Sequence, residues 1–189
     1  MDIRFKFSLE KATASMACIL GKTGPVDKLK LMKLLYLADR CHFISDGYSI
    51  TGDIPYAMKH GPVLSRTLDA LDGDFHGVHD KLFPYVHIEN YTVSLICCPP
   101  TQVLSQPELE TINHVITVFG DKSTSALVKF THDLGEWIDT YKSETSTRIP
   151  FELIAKHSND SRRFWKGRVV ISPEAAERMP CPFPSGSDL

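Results

Sequence analysis

The stretch that decides the fold opens with DKLKLMKLLYLADR, residues 27–40. The leucine-rich part of this string carries only two charges, Lys30 and Lys33. A helix that is apolar on nearly every side is typical of the buried centre of a globular protein. The string therefore predicts a central helix, which we expect to begin near Asp27 and to end where Gly47 suits a C-terminal cap.

The second informative stretch is YAMKHGPVLSRTL, residues 56–68. Gly61 allows an unusual backbone angle, and Pro62 suits the first position of a helix, where its missing N–H costs nothing. The sequence thus predicts a helix from Pro62, with Lys59 and His60 just before its N-terminus. Such a helix end can meet a carboxylate or a phosphate. The alternative is a tight turn with a purely structural role.

The third stretch is FTHDLGEW, residues 130–137. A histidine followed by an aspartate can indicate acid–base chemistry. No nucleophile stands beside His132, however, and neither a serine elbow nor a Cys-His-Asn signature is readable. The alternative is that His132 bonds a backbone group near a helix end while Trp137 packs beneath it.

These three stretches, in this order, resemble the SocA-like, or Panacea, antitoxin domain, which is also described for phage-associated GepA-like proteins. The family pattern is a KLxKLLYYA helix, then KxGPV, then LTHxxxPW, and this chain matches the last element imperfectly. The resemblance covers roughly residues 8–160. It implies an antitoxin of a toxin–antitoxin system, in a prophage context, that binds its toxin directly and is not an enzyme. The toxin would come from an adjacent gene, and binding would block it or deliver it to a protease of the AAA+ type.

The resemblance also implies a set of partner-binding residues. They are Lys33, Tyr36, Lys59, His60, Pro62, Arg66, His132 and Trp137. Long cations are rarely buried without a partner, which makes Lys59 and Arg66 the best candidates for direct contact. Arg66 can instead pair with Asp69 on its own helix.

The remaining pattern predicts a mainly α fold: a compact helical domain of six or so helices around the central helix, with one β-hairpin as a minor α+β component. The hairpin strands are expected over 82–88 and 91–98, joined at Glu89-Asn90. Further helices are predicted from their capping residues. These are Ser8, Ser105 with Pro107 and Glu108, Ser123 or Thr124, and Pro150.

Length and composition bound the organisation of the chain. At 189 residues a single domain over 1–178 is expected, followed by a disordered tail over 179–189. No apolar run is long enough for a membrane helix, and the N-terminus lacks a signal core, so a cytoplasmic location is predicted. Five cysteines, none in a Cys-x-x-Cys pair, argue against a disulfide framework. No cofactor or metal is expected, because His76 and His79 lie in a glycine-flanked loop.

The net charge of −2 conceals an uneven distribution. Residues 1–66 carry ten basic and six acidic side chains (+4), residues 67–144 four and twelve (−8), and residues 145–189 seven and five (+2). An acidic middle suits a basic partner protein. An alternative function is nucleic-acid binding through the basic and aromatic arm RRFWKGR, residues 162–168. A small hydrolase using His60 or His132 is a further alternative.

Overall fold

The computed structural model confirms a mainly helical fold. It describes residues 3–73, 85–97, 99, 101–143 and 145–158. Within these residues there are seven α-helices, together with a short 3-10 turn at Thr101–Val103. The helices are α1 (Leu9–Thr23), α2 (Lys28–Asp46), α3 (Ser65–Asp72), α4 (Gln106–Phe119), α5 (Thr124–His132), α6 (Gly135–Thr140) and α7 (Phe151–Lys156).

Helix α2 is the centre of the fold, as its apolar pattern predicts. Asp27 caps it by accepting a hydrogen bond from the Lys30 N–H at 2.9 Å, and Gly47 ends it in the left-handed conformation. Every residue from Leu31 to Phe43 is buried. Helices α1, α4 and α5 and strand β3 (Gly61–Leu64) all pack against it. No face of α2 is therefore left for solvent over its middle turns.

The predicted serine caps are confirmed at three helices. Ser8 Oγ accepts from the Lys11 N–H at 3.2 Å, and Ser123 Oγ caps α5 in the same way. At α4, Ser105 and Glu108 form a reciprocal capping box, in which the Glu108 carboxylate accepts from the Ser105 N–H at 2.7 Å. Because these bonds satisfy N–H groups that a helix start leaves open, they fix where each helix begins.

The expectation of a single hairpin is wrong, because the described residues form two antiparallel three-stranded sheets. Two of the strands are only two residues long, and so short a strand shows no alternating pattern in the sequence. The first sheet has the order β1-β5-β4 and the second the order β3-β2-β6. Their strands are β1 (Val26–Asp27), β2 (Pro55–Met58), β3 (Gly61–Leu64), β4 (Val86–Glu89), β5 (Thr92–Leu95) and β6 (Thr147–Arg148).

The β4–β5 hairpin is the one predicted, but its turn lies one residue further along. Asn90 and Tyr91 both have positive φ, 48° and 67°, as the turns favoured in two-residue hairpins require. The outer parts of the two predicted strands, residues 82–84 and Cys98, lie outside the described residues.

The prediction of a helix starting at Pro62 is also wrong. Residues Gly61–Leu64 are strand β3, in which Pro62 pairs with Ala57, and α3 begins at Ser65. The φ of proline fits an edge strand as well as a helix start, and β3 is an edge strand of its sheet. All four residues of β3 are buried. The apolar run Gly-Pro-Val-Leu is therefore a core strand that leads into the helix.

Helix α3 takes its N-terminal cap from a distant side chain. The buried Asp53 carboxylate accepts hydrogen bonds from the Arg66 N–H at 3.1 Å and from the Thr67 N–H at 2.8 Å. Burial raises the pKa of Asp53, while these hydrogen bonds act in the opposite direction. The cap comes thirteen residues upstream of Arg66, so no local capping signature marks this helix start.

We expect Leu35→Ala to cost about 2–5 kcal/mol of unfolding free energy, from lost transfer energy and the cavity left behind. Leu35 is 1% exposed and belongs to the main core cluster. Urea melts followed by circular dichroism measure the loss. Ile138→Ala is the matched control, since Ile138 is 59% exposed and should change stability by less than about 0.5 kcal/mol. A loss below about 1 kcal/mol for Leu35→Ala would contradict the central position of α2.

Candidate functional site

The tip of the β2–β3 hairpin presents Lys59 and His60 to solvent. They form a two-residue turn between Met58 and Gly61, which pair across the hairpin. Both turn residues are exposed. They do not stand before a helix N-terminus, so the anion site predicted from a helix dipole is absent at this turn. The surroundings of the tip are instead set by Lys33 and by the aromatic rings that pack against the hairpin.

Lys33 holds the hairpin from inside the protein. Its side chain is 0% exposed, and its Nζ donates a hydrogen bond to the Pro62 carbonyl at 2.7 Å. Burial lowers the pKa of Lys33 to about 7. Lys33 and Pro62 are both buried in this structure. Lys33 and Pro62 were predicted as partner-binding residues, but as buried residues they support the tip from inside the protein.

Three aromatic rings stack behind the tip. The His132 and Trp137 rings are nearly parallel, with centroids 4.1 Å apart and planes 7° apart. The Trp137 and Tyr141 rings follow at 4.6 Å and 12°. The Trp137 indole N–H donates to the Met58 carbonyl at 3.1 Å. The stack thus joins the end of α5, helix α6 and the hairpin.

His132 experiences a positive environment. Burial lowers the pKa of His132, and the charges of Lys33 and His60 lower it further, while Asp133 and a hydrogen bond with the Lys59 backbone raise it. Its Nε2 atom is buried and has no hydrogen-bond partner among the described residues. The sequence-based alternative placed the backbone partner of His132 near a helix end, but the partner is Lys59 in the hairpin turn. The packing of Trp137 against His132 is as that alternative expected, since the two rings stack.

Gly61 lies against this cluster with no room for a side chain. Its φ is +94°. A Cβ atom built there would lie 2.7 Å from Thr131 Oγ1 and 3.0 Å from Lys33 Nζ. Both the backbone conformation and the available space therefore require glycine.

A buried ionic cluster anchors α6, the helix that carries Trp137, to α2. The Arg40 guanidinium contacts both carboxylate oxygens of Glu136, at 2.5 and 3.1 Å. The Tyr36 hydroxyl donates to the same carboxylate at 2.9 Å. Burial raises the pKa of Tyr36, and the negative charge of Glu136 adds to that effect. Tyr36 is 1% exposed, so it positions the site from within.

The sequence-based reasoning missed Arg40 and Glu136 as parts of the site. Arg40 follows Tyr36 by one helical turn, and Glu136 directly precedes Trp137. This nearness to predicted site residues was a weak indication that both belong to the site. Their pairing spans 96 residues, and no sequence spacing reports such a contact.

Arg66 lies apart from the other predicted residues. It is exposed at the start of α3, with its guanidinium 5.7 Å from the centre of the Phe7 ring. The strand β3 separates it from the tip, and four strand residues span about 13 Å. Lys59 and Arg66 therefore do not form one continuous patch.

An open cleft of about 350 Å³ lies beside the tip. It is lined by Met58, Lys59, Tyr141, Ser143, Thr145 and Ser146. Neither Lys33 nor His132 is among the residues that line the cleft.

Several predicted features fall outside the described residues: the histidine loop at 76–80, the basic and aromatic arm at 162–168, and the tail at 179–189. Among the residues that the structure describes, no group of three or more His, Cys, Asp or Glu side chains could hold a metal ion. In the same part of the chain, every helix is too short or too polar to cross a bilayer.

The model of the family "Antitoxin SocA-like, Panacea domain" matches residues 31–138. This chain belongs to the SocA-like Panacea antitoxin family. No curated protein and no solved structure matches the chain. The Panacea match begins within α2 and ends within α6, so it includes the hairpin tip, Lys33, His132 and Trp137. The resemblance on which the partner-binding residues were predicted is thus confirmed at the level of the family.

We expect Gly61→Ala to destabilise the Panacea domain strongly. The left-handed backbone costs about 1–2 kcal/mol for alanine, and overpacking against Thr131 and Lys33 adds about 1–3 kcal/mol. Gly24→Ala is the matched control, because Gly24 has a φ of +71° but no atom within 4 Å of its added Cβ. Thermal and urea melts compare the two variants. Equal losses would show that the hairpin does not press against Thr131 and Lys33.

We expect the stability of the protein to rise with pH because of Lys33. Its folded pKa of about 7 lies below the ordinary value of 10.5, so between these values the unfolded chain binds more protons than the folded protein. Below about pH 7 the buried charge of Lys33 destabilises the folded protein to its full extent. This destabilisation decreases as the pH rises, by up to about 1.4 kcal/mol per pH unit. Lys33→Met should remove this slope. The measurement is the unfolding free energy from urea melts between about pH 7 and pH 9.

Other groups that titrate in this range are common to both proteins, so the difference between the wild-type and Lys33→Met curves isolates Lys33. Lys22→Met, at an exposed position of α1, should leave the slope unchanged. Parallel curves for wild type and Lys33→Met would contradict a buried, weakly basic Lys33.

Proposed function

We propose that this chain neutralises a toxin by direct protein–protein binding, and that it does so through its tip surface. The tip surface consists of the exposed turn residues Lys59 and His60, the half-buried Met58 beside them, and the half-buried stacked rings of His132, Trp137 and Tyr141. The observation that carries the proposal is an exposed Lys59-His60 turn held in place by groups behind it. Membership of an antitoxin family supports a toxin as the partner.

The rigidity of the tip surface favours binding. Lys33 fixes the hairpin through the Pro62 carbonyl, Trp137 fixes it through the Met58 carbonyl, and Glu136 fixes α6. A surface that is ordered before binding loses less conformational entropy on association. Trp and Tyr are also enriched at binding hot spots.

A catalytic function has less support from the geometry. His132 stacks on Trp137, bonds the Lys59 backbone and is not among the residues that line the cleft. The Lys33 amine is buried against the Pro62 carbonyl. Neither side chain lines the cleft, so neither is placed to exchange a proton with a substrate bound there. We therefore propose that the protein acts by binding alone.

The proposal places the antitoxin in the cytoplasm with a toxin from an adjacent gene. Two modes follow from the same surface: binding blocks the toxin, or it presents the toxin to an AAA+ protease. A chase of toxin levels after protein synthesis is stopped separates them. Toxin that disappears only when the antitoxin and the protease are both present indicates delivery.

We expect Lys59→Glu to weaken toxin neutralisation at least tenfold with little change in melting temperature. Lys59 is exposed and forms no ion pair within the described part of the chain, so stability should barely respond, whereas disrupting a desolvated interfacial charge costs about 2–5 kcal/mol. The measurements are rescue of growth when the neighbouring gene's product is expressed, and titration of that product against the folded variant.

Two controls locate the effect. Lys22→Glu makes the same change at an exposed position of α1 and should rescue growth like the wild type. Arg66→Glu tests the predicted contact at the far end of β3 separately. Unchanged affinity for Lys59→Glu would place the binding face elsewhere on the molecule.

A further inference from the structure

The cleft beside the tip is lined by groups that recognise an anion. Lys59 supplies a cation, and the exposed Ser143 and Ser146 supply hydroxyls that have no hydrogen-bond partner among the described residues. Thr145 lines the same wall, and its hydroxyl is held by the Lys142 carbonyl at 3.0 Å. Tyr141 closes the stack on this side and offers its ring to the cleft.

The electrostatics of the tip point to the same class of ligand. The positive charges of Lys33 and His60 lower the pKa of His132 more than Asp133 raises it. The buried Lys33 ammonium has a carbonyl as its hydrogen-bond partner and no carboxylate among the described residues. Lys59 therefore supplies positive charge at the surface at all ordinary pH values, and Lys33 adds to it below about pH 7, where its amine is protonated.

The acidic side chains near the stack are mostly neutralised by other partners. Glu136 is held by Arg40, and Asp139 contacts His157 at 2.8 Å and Lys156 at 3.5 Å. Asp133 remains, and it is exposed to solvent, where water screens its charge. Glu144, in the same connection as Ser143 and Thr145, lies outside the described residues.

We propose that the tip surface binds an acidic segment of the partner protein, with a carboxylate seated in the cleft between Lys59 and the hydroxyls of Ser143 and Ser146. This inference rests on the proposed function, since it names the chemistry of the partner at the same surface. It also reverses an expectation from the sequence. The acidic middle of the chain suggested a basic partner, whereas Lys59 and His60, which come from the basic segment 1–66, favour an acidic one.

A carboxylate seated beside Lys59 in the cleft should bind more strongly than it would in an isolated surface ion pair. Two hydroxyl donors share the charge, and charge-assisted hydrogen bonds are stronger than neutral ones. The planar Tyr141 ring provides an apolar wall on which an aromatic or aliphatic neighbour of the acidic residue packs. The cleft therefore favours a mixed segment, in which acidic residues flank an aromatic one.

The test uses the full-length protein and the synthetic peptide Ac-Glu-Glu-Tyr-Glu-Glu-amide as the probe. Matched peptides carry Gln or Lys in place of Glu, and a short uridine oligonucleotide provides a polyanion of another class. Backbone amide chemical shifts follow each titration. We expect the acidic peptide to shift the signals of Lys59, His60 and Ser146, and to bind at least tenfold more tightly than the Gln and Lys peptides.

Variants connect the binding to the cleft. Lys59→Glu should weaken the acidic peptide at least tenfold, and the paired variant Ser143→Ala with Ser146→Ala should weaken it by a smaller factor. Lys22→Glu should leave the affinity unchanged. Binding should also weaken as salt is added, because exposed charges are screened.

Three results would overturn the inference: no binding of the acidic peptide, equal binding of the Gln peptide, or shifts confined to another surface. Tighter binding of the oligonucleotide at the same residues would assign the cleft to nucleic acid instead. The growth-rescue assay separates this inference from the proposed function. If the peptide fails but Lys59→Glu still abolishes rescue, neutralisation through the tip stands and the acidic segment is rejected. If Lys59→Glu rescues growth fully, the tip is not the neutralising surface, whatever the peptide does.

Discussion

The hydrogen bond from Lys33 to the Pro62 carbonyl is the interaction on which the candidate site depends. It starts from the middle of α2, the most buried helix among the described elements, and ends on the edge strand that carries the tip. Removing an ammonium group from water is costly, and a buried lysine commonly responds by losing its proton. The lowered pKa of Lys33 follows directly from this cost. A neutral amine can still donate to the carbonyl, so the link survives deprotonation.

An apolar residue at position 33 would avoid that cost but would leave a buried carbonyl without its donor. An unsatisfied buried acceptor costs about 1–3 kcal/mol, and the strand would lose its direct connection to α2. The Arg40–Glu136 pair likewise carries a cost of burying charge, and it links α6 to α2. Buried ion pairs are weak evidence for stability, but both links hold secondary structure elements at the tip surface. We interpret them as fixing the geometry of the tip rather than as maximising stability.

Local rules predicted much of the fold. The caps at Ser8 and Ser105 and the apolar run of α2 each contain their signal within a few residues, and each was found where expected. Strand β3 was mistaken for a helix start because a proline after a glycine fits both structures, and only pairing with Pro55–Met58 decides between them. Strand β6 is two residues long and exists because β2 pairs with it.

Local sequence patterns predicted the candidate site less well than they predicted the helices. Its residues were named from a family pattern, but their roles depend on depth, which the pattern does not report. Lys33 and Lys59 are both lysines near apolar stretches, yet one is fully buried and the other is exposed. Which of them reaches the surface is decided by the course of β3 across α2. In this domain the buried residues of the pattern set the shape of the tip, and the exposed ones are those that our proposal assigns to partner binding.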